Sequence, residues 1–174
     1  NNRKFECIDL EFVKGEEIYS NPLRKKEDIE DFIIETEEEG QPEFTFKNGN
    51  MVVQSSSHYL MWVPQTFSDS IVISWNFKPH NDDGLAMFWF CAHGREGEDL
   101  FDPQLKPRTG KYPQYHSSDI NAYHIAYFRR NSWDQPYINT VNFRKSFGNK
   151  LIKQGPNPIP NMVEKVKKSV DEPY

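Results

Sequence analysis

Two histidines and an aspartate lie near the end of a long polar segment, residues 94–121, or just after it. His116 and Asp119 belong to this segment, and His124 follows it in a stretch that alternates like a β-strand. β-Elimination on a uronic acid needs a base, such as a neutral imidazole, with a tyrosine nearby and a cation that offsets the carboxylate. The residues that could complete such a set are Tyr115, Tyr127, Arg129, Arg130 and Arg144. In the structural alternative, His124 is a hydrogen-bonded strand residue and the arginines pair with nearby acids.

Glu98 and Asp102 lie in the same segment and could supply the two carboxylates of a glycosidase. Such an enzyme needs a general acid and a nucleophile or base that face each other across the scissile bond. Adjacent acids such as Glu98 and Asp99 point apart, and Asp102-Pro103 is typical of a turn. A catalytic and a structural role therefore both stay open for these carboxylates.

Aromatic and planar polar side chains in and after the segment favour sugar binding. Aromatic faces cover the C–H patches of a sugar, while amide, carboxylate and guanidinium groups hydrogen-bond its hydroxyls. The predicted substrate-binding residues are Tyr112, Tyr115, Asp119, Asn121, Tyr127, Arg129, Arg130, Trp133 and Arg144. Rings inside apolar stretches are predicted to be core instead, namely Trp75, Phe88, Trp89 and Phe90.

Short strands must position these groups. Residues 70–78 alternate apolar and polar side chains, and residues 85–93 form a nearly unbroken apolar run, typical of a strand covered on both faces. The Asn48-Gly49 pair between residues 43–47 and 51–55 predicts a tight hairpin. Further strands are predicted at residues 7–13, 122–130 and 137–144, a brief surface helix at 24–32, and a proline-rich connector at 155–160 before an amphipathic turn.

Composition narrows the class of protein. With 36% hydrophobic and 14% aromatic residues, the 174-residue chain is expected to form a single ordered domain, residues 1–174. The net charge of -5 argues against a nucleic-acid partner, and no apolar run is long enough to cross a bilayer. Cys7 and Cys91 are predicted to be free thiols, with Cys91 in a buried strand.

A series of short motifs runs through most of the chain. It begins with Asn21-Pro22-Leu23 and continues through the run from Gly94 to Pro103, Pro107-Arg108-Thr109-Gly110, Tyr115-His116, Asp119-Ile120-Asn121-Ala122, Tyr127-Phe128-Arg129-Arg130, Asn142-Phe143-Arg144-Lys145-Ser146 and Gln154-Gly155. Together these motifs resemble the YesU-like family of carbohydrate-associated proteins. The resemblance implies a concanavalin A-like (galectin-like) jelly-roll sandwich of two antiparallel sheets, often encoded near genes for breaking down plant-type polysaccharides such as pectins. It carries no settled activity and no catalytic residues.

The resemblance also implies strands beyond Pro173-Tyr174, because family members continue past this step. A strand-rich domain that stops there would leave an unpaired sheet edge, which agrees with closing C-terminal strands missing from this chain. For a bacterial protein, a start at Asn1 leaves the cytoplasm, the periplasm and export all open. The sequence does not determine the oligomeric state.

No cofactor is predicted, and metal binding is not favoured. His116-Ser-Ser-Asp119 offers two ligands, and the acidic runs lack the spacing of a calcium loop. A structural calcium would rest on analogy with other jelly-roll folds alone.

Three functions compete on this sequence. The first is a hydrolase or lyase that acts on an oligosaccharide or polysaccharide fragment, with residues 94–121 closing over the sugar; fragments with uronate units are among the candidate substrates. The second is a non-catalytic, lectin-like carbohydrate-binding domain, and the third is a protein-interaction sandwich. Catalysis needs two ionisable groups that converge with a ring in one cleft, whereas binding needs only rings and hydrogen bonds. The density of acids, histidines, tyrosines and arginines in the segment favours the first.

Overall fold

The computed structural model describes residues 15–68, 70–80, 84–130, 142–147 and 150–153, and their side chains except those of 128–130, 142, 147 and 150–153. The elements are a 3₁₀ helix at Lys26–Ile29, β1 Ile33–Thr36, β2 Glu43–Lys47, β3 Asn50–Gln54, β4 Tyr59–Trp62, β5 Gly84–Gly94, α1 Pro113–His116, β6 Ile120–Arg130, β7 Asn142–Phe147 and β8 Lys150–Lys153. The described part of the chain is thus nearly all β, as predicted.

All strand pairs are antiparallel. β1 pairs with β4, β2 pairs with β3, and the third sheet has the order β5-β6-β7-β8. The predicted hairpin is confirmed: β2 and β3 meet at a two-residue loop in which Asn48 has φ 52° and Gly49 φ 73°. Two successive positive φ values are what a type I′ turn requires, and Asn-Gly is its preferred sequence.

The register of the four-stranded sheet sorts its side chains onto two faces. Trp89 lies opposite His124, and His124 lies opposite Arg144, so these three share what we call the His124 face. Phe90, Tyr123 and Phe143 lie on the other face, the Phe90 face, where their rings stack at centroid distances of 5.6–6.1 Å. The two faces therefore differ: His124 and Arg144 lie beside the Trp89 ring on one face, and three rings stack on one another on the other.

The core lies on the His124 face. Trp62 of β4, Trp89 of β5, Tyr115 of α1, and Ile120 and Ala122 of β6 form one buried cluster. Full burial of a large apolar side chain contributes about 1.5–3 kcal/mol to stability. Because this cluster joins the four-stranded sheet to β4 and to the polar segment, it holds the segment against the sheet.

The predicted strand at residues 70–78 is wrong, since residues 70–80 form no strand in the structure. Its rings nevertheless pack on the four-stranded sheet, with Trp75 stacked on Phe88 at 4.7 Å and against Tyr127 at 5.4 Å. Ile73 and Trp75 each remain 43% exposed. An alternating pattern reports which side chains face apolar surface, but a strand also needs a hydrogen-bonded neighbour.

A β-bulge overturns the prediction that Cys91 is buried. The register shifts by one residue between Phe90 and His93, and Cys91 adopts φ 50° within that shift. Cys91 is an exposed free thiol, because the extra residue of a bulge leaves the alternation of the strand. The remainder of the predicted run 85–93 is confirmed as a strand within β5, although several of its side chains are only partly buried.

The other predicted elements agree where they can be compared. β6 contains residues 122–130, β7 begins at Asn142, and the predicted helix reduces to the 3₁₀ turn Lys26–Ile29. Residues 7–13, 137–141, 155–160 and the turn from Asn161 lie outside the described residues, as does Cys7. Within the described ranges, we find no helix with the length and apolar character that a membrane span requires.

Candidate functional site

The polar segment between β5 and β6 is folded by its own acids. Asp119 accepts hydrogen bonds from the Lys106 backbone N–H (2.7 Å) and the Ser118 hydroxyl (3.0 Å). Partial burial raises the pKa of Asp119, but these bonds outweigh burial and hold the pKa below its ordinary value. Asp119 therefore fastens the end of the segment to its middle.

A buried carboxylate ties the segment to β1. Glu35 accepts hydrogen bonds from the Trp62 indole N–H (2.9 Å) and the Tyr115 hydroxyl (2.8 Å), and it pairs with Arg108 at 2.8 Å. The side chains of Arg108 and Glu35 are only 4% and 10% exposed. Arg108 also donates to the Leu100 carbonyl at 2.8 Å. One carboxylate thus joins β1, β4, the middle of the segment and α1.

A cleft of about 170 Å³ opens on the His124 face between α1 and the sheet. Its walls come from β5, β6, β7, the N-cap of α1 and the loop before β4: His58, Leu85, Met87, Tyr112, His124, Ala126 and Arg144. We call it the His124 cleft. Among the described residues, none that lines it carries a carboxylate.

A chain of hydrogen bonds crosses the cleft. Arg144 Nη1 lies 2.9 Å from the Tyr112 hydroxyl oxygen, which lies 3.1 Å from His124 Nε2. Because a guanidinium can only donate, the phenolic oxygen accepts from Arg144, while the direction of its bond with Nε2 follows the tautomer of the imidazole. A proton on Nδ1 makes Nε2 the acceptor of this bond, and a proton on Nε2 makes it the donor. His124 Nδ1 and the Ser146 hydroxyl are buried without a hydrogen-bond partner in the described part of the chain.

His124, which lines the cleft, and His116, which lies beside it, are neutral at pH 7 because their pKa values are lowered. His124 is fully buried, and burial, followed by the charge of Arg144 and the proximity of His116, lowers its pKa to about 4. Burial and then the Arg144 charge also lower the pKa of His116, whose ring lies 4.3 Å from that of Tyr112. Trp89 stacks on His124 at 4.1 Å. The cleft therefore combines a guanidinium, a phenol and neutral imidazoles.

The structure brings four of the predicted site residues together: Tyr112, His116, His124 and Arg144. Tyr115 is fully buried, and its hydroxyl donates to Glu35 and accepts from the Gly110 N–H, so no surface of it is left for a ligand. Burial holds its pKa well above the ordinary range, and the Glu35 charge adds to this shift. Tyr115 positions α1.

The remaining predicted residues lie elsewhere. Glu98 accepts the Glu96 N–H at 2.9 Å, and Asp102 accepts the Gln104 N–H at 2.8 Å, so each caps its own turn. Tyr127 packs on Trp75 and Phe77, and burial raises its pKa to about 12. Asn121 lies on the Phe90 face of β6, together with Tyr123, and so on the opposite face from His124. Trp133 and the side chains of Arg129 and Arg130 lie outside the described residues.

A second, larger cavity of about 410 Å³ lies between the polar segment and β1. Its lining comprises Glu35, Leu100, Phe101, Asp102, Pro103, Leu105, Lys106, Pro107 and Arg108. The sequence prediction missed Glu35 and Arg108. Glu35 is hidden in the acidic run 35–39, and the signal that could have singled it out is its place directly after Ile33-Ile34 in a short apolar strand.

Across the described ranges, no three His, Cys, Asp or Glu side chains cluster closely enough to hold a metal ion.

The antiparallel sheets belong to the galectin-like class of β-proteins. A solved structure described as a protein of unknown function with a galectin-like fold, from Bacillus subtilis, matches with a TM-score of 0.69 and 43% identity. The match covers 77% of this chain and 60% of that one, so the chain spans less than two thirds of the solved protein. It confirms the predicted jelly-roll class.

The chain belongs to the family described as a domain of unknown function, DUF1961, whose model matches residues 16–170. A similar curated protein is the uncharacterized protein YesU of Bacillus subtilis strain 168. It is 41% identical over 166 residues, which are 94% of this chain and 71% of YesU. The predicted YesU-like membership is confirmed, and the function of this family is unknown.

Proposed function

We propose that this protein binds a carbohydrate in the His124 cleft and that the bound sugar ring carries a carboxylate. The observation that carries the proposal is the Arg144–Tyr112–His124 chain in a cleft that no carboxylate of the described residues lines. A guanidinium has five N–H donors, and Tyr112 uses one of them. Arg144 can therefore still receive a carboxylate, which is the planar anion that guanidinium groups bind best.

The size and walls of the cleft suit one sugar ring. Its 170 Å³ lies below the roughly 300–1,000 Å³ of sites that enclose drug-sized ligands, so the rest of an oligosaccharide would extend outside. Leu85, Met87 and Ala126 give apolar wall for sugar C–H groups, while Tyr112 offers a hydroxyl. The galectin-like fold supports sugar binding by analogy with its class, not by any residue of this chain.

Substitution of Arg144 tests the proposal. We expect Arg144→Gln to weaken binding of a galacturonate or glucuronate oligosaccharide about tenfold to a hundredfold, because a charged hydrogen bond is worth about 1.5–3 kcal/mol. Titration calorimetry at pH 7 measures this loss, with the neutral galactose and glucose oligosaccharides as comparison ligands.

Lys145→Gln is the matched control, because this substitution removes one positive charge from the residue next to Arg144. The Lys145 ammonium lies over the Tyr123 ring on the Phe90 face, away from the cleft. The substitution should leave affinity unchanged. Equal loss in the two variants, or tighter binding of the neutral sugars by the wild type, would contradict the proposal.

A lyase is the second candidate, favoured by the Tyr112 hydroxyl between Arg144 and a neutral imidazole. In β-elimination on a uronate, a base removes the C5 proton, the C4–O bond breaks, a C4=C5 double bond forms and the leaving oxygen takes a proton. The neutral His116 ring is the candidate base, Tyr112 the candidate acid, and Arg144 offsets the carboxylate. Hydrolysis by paired carboxylates has less support, since Glu98 and Asp102 each cap a turn in the polar segment.

The two candidates differ in product. If the protein is a lyase, wild type should release unsaturated uronate from polygalacturonate, followed by ultraviolet absorbance. Tyr112→Phe should then lower kcat about a hundredfold or more, the usual contribution of a positioned acid or base. Calorimetry should show retained binding in this variant. Wild-type binding without any unsaturated product would exclude the lyase and leave the non-catalytic carbohydrate-binding domain.

A further inference from the structure

Helix α1 and its N-cap hold Tyr112 in the wall of the His124 cleft and His116 beside it, yet the helix cannot determine its own orientation. It has only four residues, Pro113–His116, and no side chain caps its N-terminus. Helices this short have little stability of their own, because nucleation costs more than a single turn recovers. The alignment of Tyr112, at its N-cap, and His116, at its end, must therefore come from tertiary contacts.

Those contacts converge on Tyr115 in the same helix. Its ring packs against Trp62 at 6.4 Å and Trp89 at 5.5 Å, and its hydroxyl donates to Glu35 at 2.8 Å. The same hydroxyl accepts the Gly110 N–H at 2.9 Å, which fixes the chain where it enters α1. Tyr112 and His116 lie three residues before and one residue after Tyr115. If the Tyr115 anchor were lost, a rotation of α1 would therefore displace both.

Glu35 itself has no freedom to follow such a rotation. The Trp62 indole holds Oε2, and Arg108 holds Oε1 through two nitrogens, at 2.8 and 2.9 Å. Gly110 adds a second restraint, since it has φ 84° and a Cβ there would lie 2.6 Å from the His58 carbonyl oxygen. The anchor of α1 is thus rigid on the side of Glu35.

We propose that Glu35, which does not line the His124 cleft, is a positioning residue that aligns Tyr112 with Arg144 and His124 through Tyr115. The geometry of the alignment stands without any ligand, and its effect on affinity rests on the proposed function. A structural role alone would lower stability and leave the Tyr112–His124 hydrogen bond of the folded protein unchanged.

Tyr115→Phe tests the link with the smallest change, since it removes one hydroxyl and keeps the buried ring. The first readout is the pair of His124 ring nitrogen resonances in the ligand-free protein at pH 7. In wild type, the Tyr112 bond engages Nε2 and holds the imidazole in a single tautomer. In the folded variant we expect the Nε2 resonance to shift as that bond lengthens. Tyr59→Phe is the control, because Tyr59 lies in β4 beside the segment, whereas the side chains that donate to Glu35 are Trp62, Arg108 and Tyr115.

The second readout is affinity for the same uronate oligosaccharide. We expect Tyr115→Phe to weaken binding about tenfold, and Arg144→Gln to cost less in the Tyr115→Phe background than in wild type. Such non-additivity is the signature of coupled residues. Glu35→Gln, which keeps the shape and one acceptor oxygen, should give the same direction of change at a temperature where it is fully folded.

Unchanged His124 resonances in folded Tyr115→Phe would overturn the positioning role, as would strictly additive losses with Arg144→Gln. A wild type that binds no acidic sugar would contradict the proposed function instead. The ligand-free resonances would then still decide the role of Glu35, because they require no bound sugar.

Discussion

Arg108→Met is expected to lower the free energy of unfolding by about 3–5 kcal/mol, the usual cost of removing one partner of a buried ion pair. The side chain of Glu35 is only 10% exposed and would lose the cation that lies 2.8 Å from it. The Leu100 carbonyl would lose its donor as well. Methionine preserves most of the apolar length of the arginine stem, so the loss reports charge and hydrogen bonds more than volume. Urea unfolding at pH 7, followed by tryptophan fluorescence, measures it.

A second ion pair in the same region supplies the control. Lys111 lies 2.7 Å from Glu37, but these side chains are 55% and 33% exposed. Exposed pairs contribute about 0–1 kcal/mol, so Lys111→Met should change stability little. Because both variants remove one cation from the polar segment, similar losses would show that Glu35 tolerates a missing partner. The buried pair would then be no anchor.

Local sequence signals predicted the strands whose formation depends on neighbours in the chain. Asn48-Gly49 predicted a hairpin because the turn needs two successive residues with positive φ, and Asn and Gly tolerate positive φ better than other residues. The segment around Trp75 has an equally clear alternation but forms no strand, because pairing depends on a neighbour that alternation does not specify. The bulge at Cys91 was missed for a similar reason, since an inserted residue changes the register without changing composition.

The sequence predicted the types of residue in the candidate site, but it identified only some of the particular residues that lie there. Tyr112, His116, His124 and Arg144 were singled out, but so were residues of the opposite face, because spacing alone did not say which side of β6 met the segment. The pattern Ala122-x-His124-x-Ala126 held that information. Small residues on both sides of a histidine leave room for the rings of Trp89 and Tyr112.

Long-range contacts account for what was missed. Glu35 contacts Arg108, which is 73 residues away in the sequence, and Tyr115, which is 80 residues away. Neither pair has a local signature, because ion pairing and hydrogen bonding at such separations are set by how the sheets pack. The acids that looked catalytic cap their own turns, whereas the acid that organises the site looked like part of a solvated run.

Acidification from pH 7 to pH 4 is expected to weaken the folded state through His124 by about 3 kcal/mol. Its pKa falls from 6.5 to about 4 on folding, and each unit is worth about 1.36 kcal/mol. A lowered pKa means that the unfolded chain binds the proton more tightly. The contribution is thus fully present above pH 6.5, is lost progressively between pH 6.5 and 4, and changes no further below pH 4.

Groups that face His124 determine the sign of this effect. Burial and then the Arg144 charge oppose a second proton on the His124 imidazole and so lower its pKa. The pKa of the neighbouring His116 is lowered too, so the contribution of His116 to stability changes with pH in the same direction. His124→Gln carries no titratable proton, and its stability should therefore fall less between pH 6.5 and 4.5 than that of wild type. Urea midpoints across this range measure the two slopes, with the exposed His80→Gln as control. Parallel slopes in wild type and His124→Gln would mean that His124 accepts a proton in the folded protein as readily as in the unfolded chain.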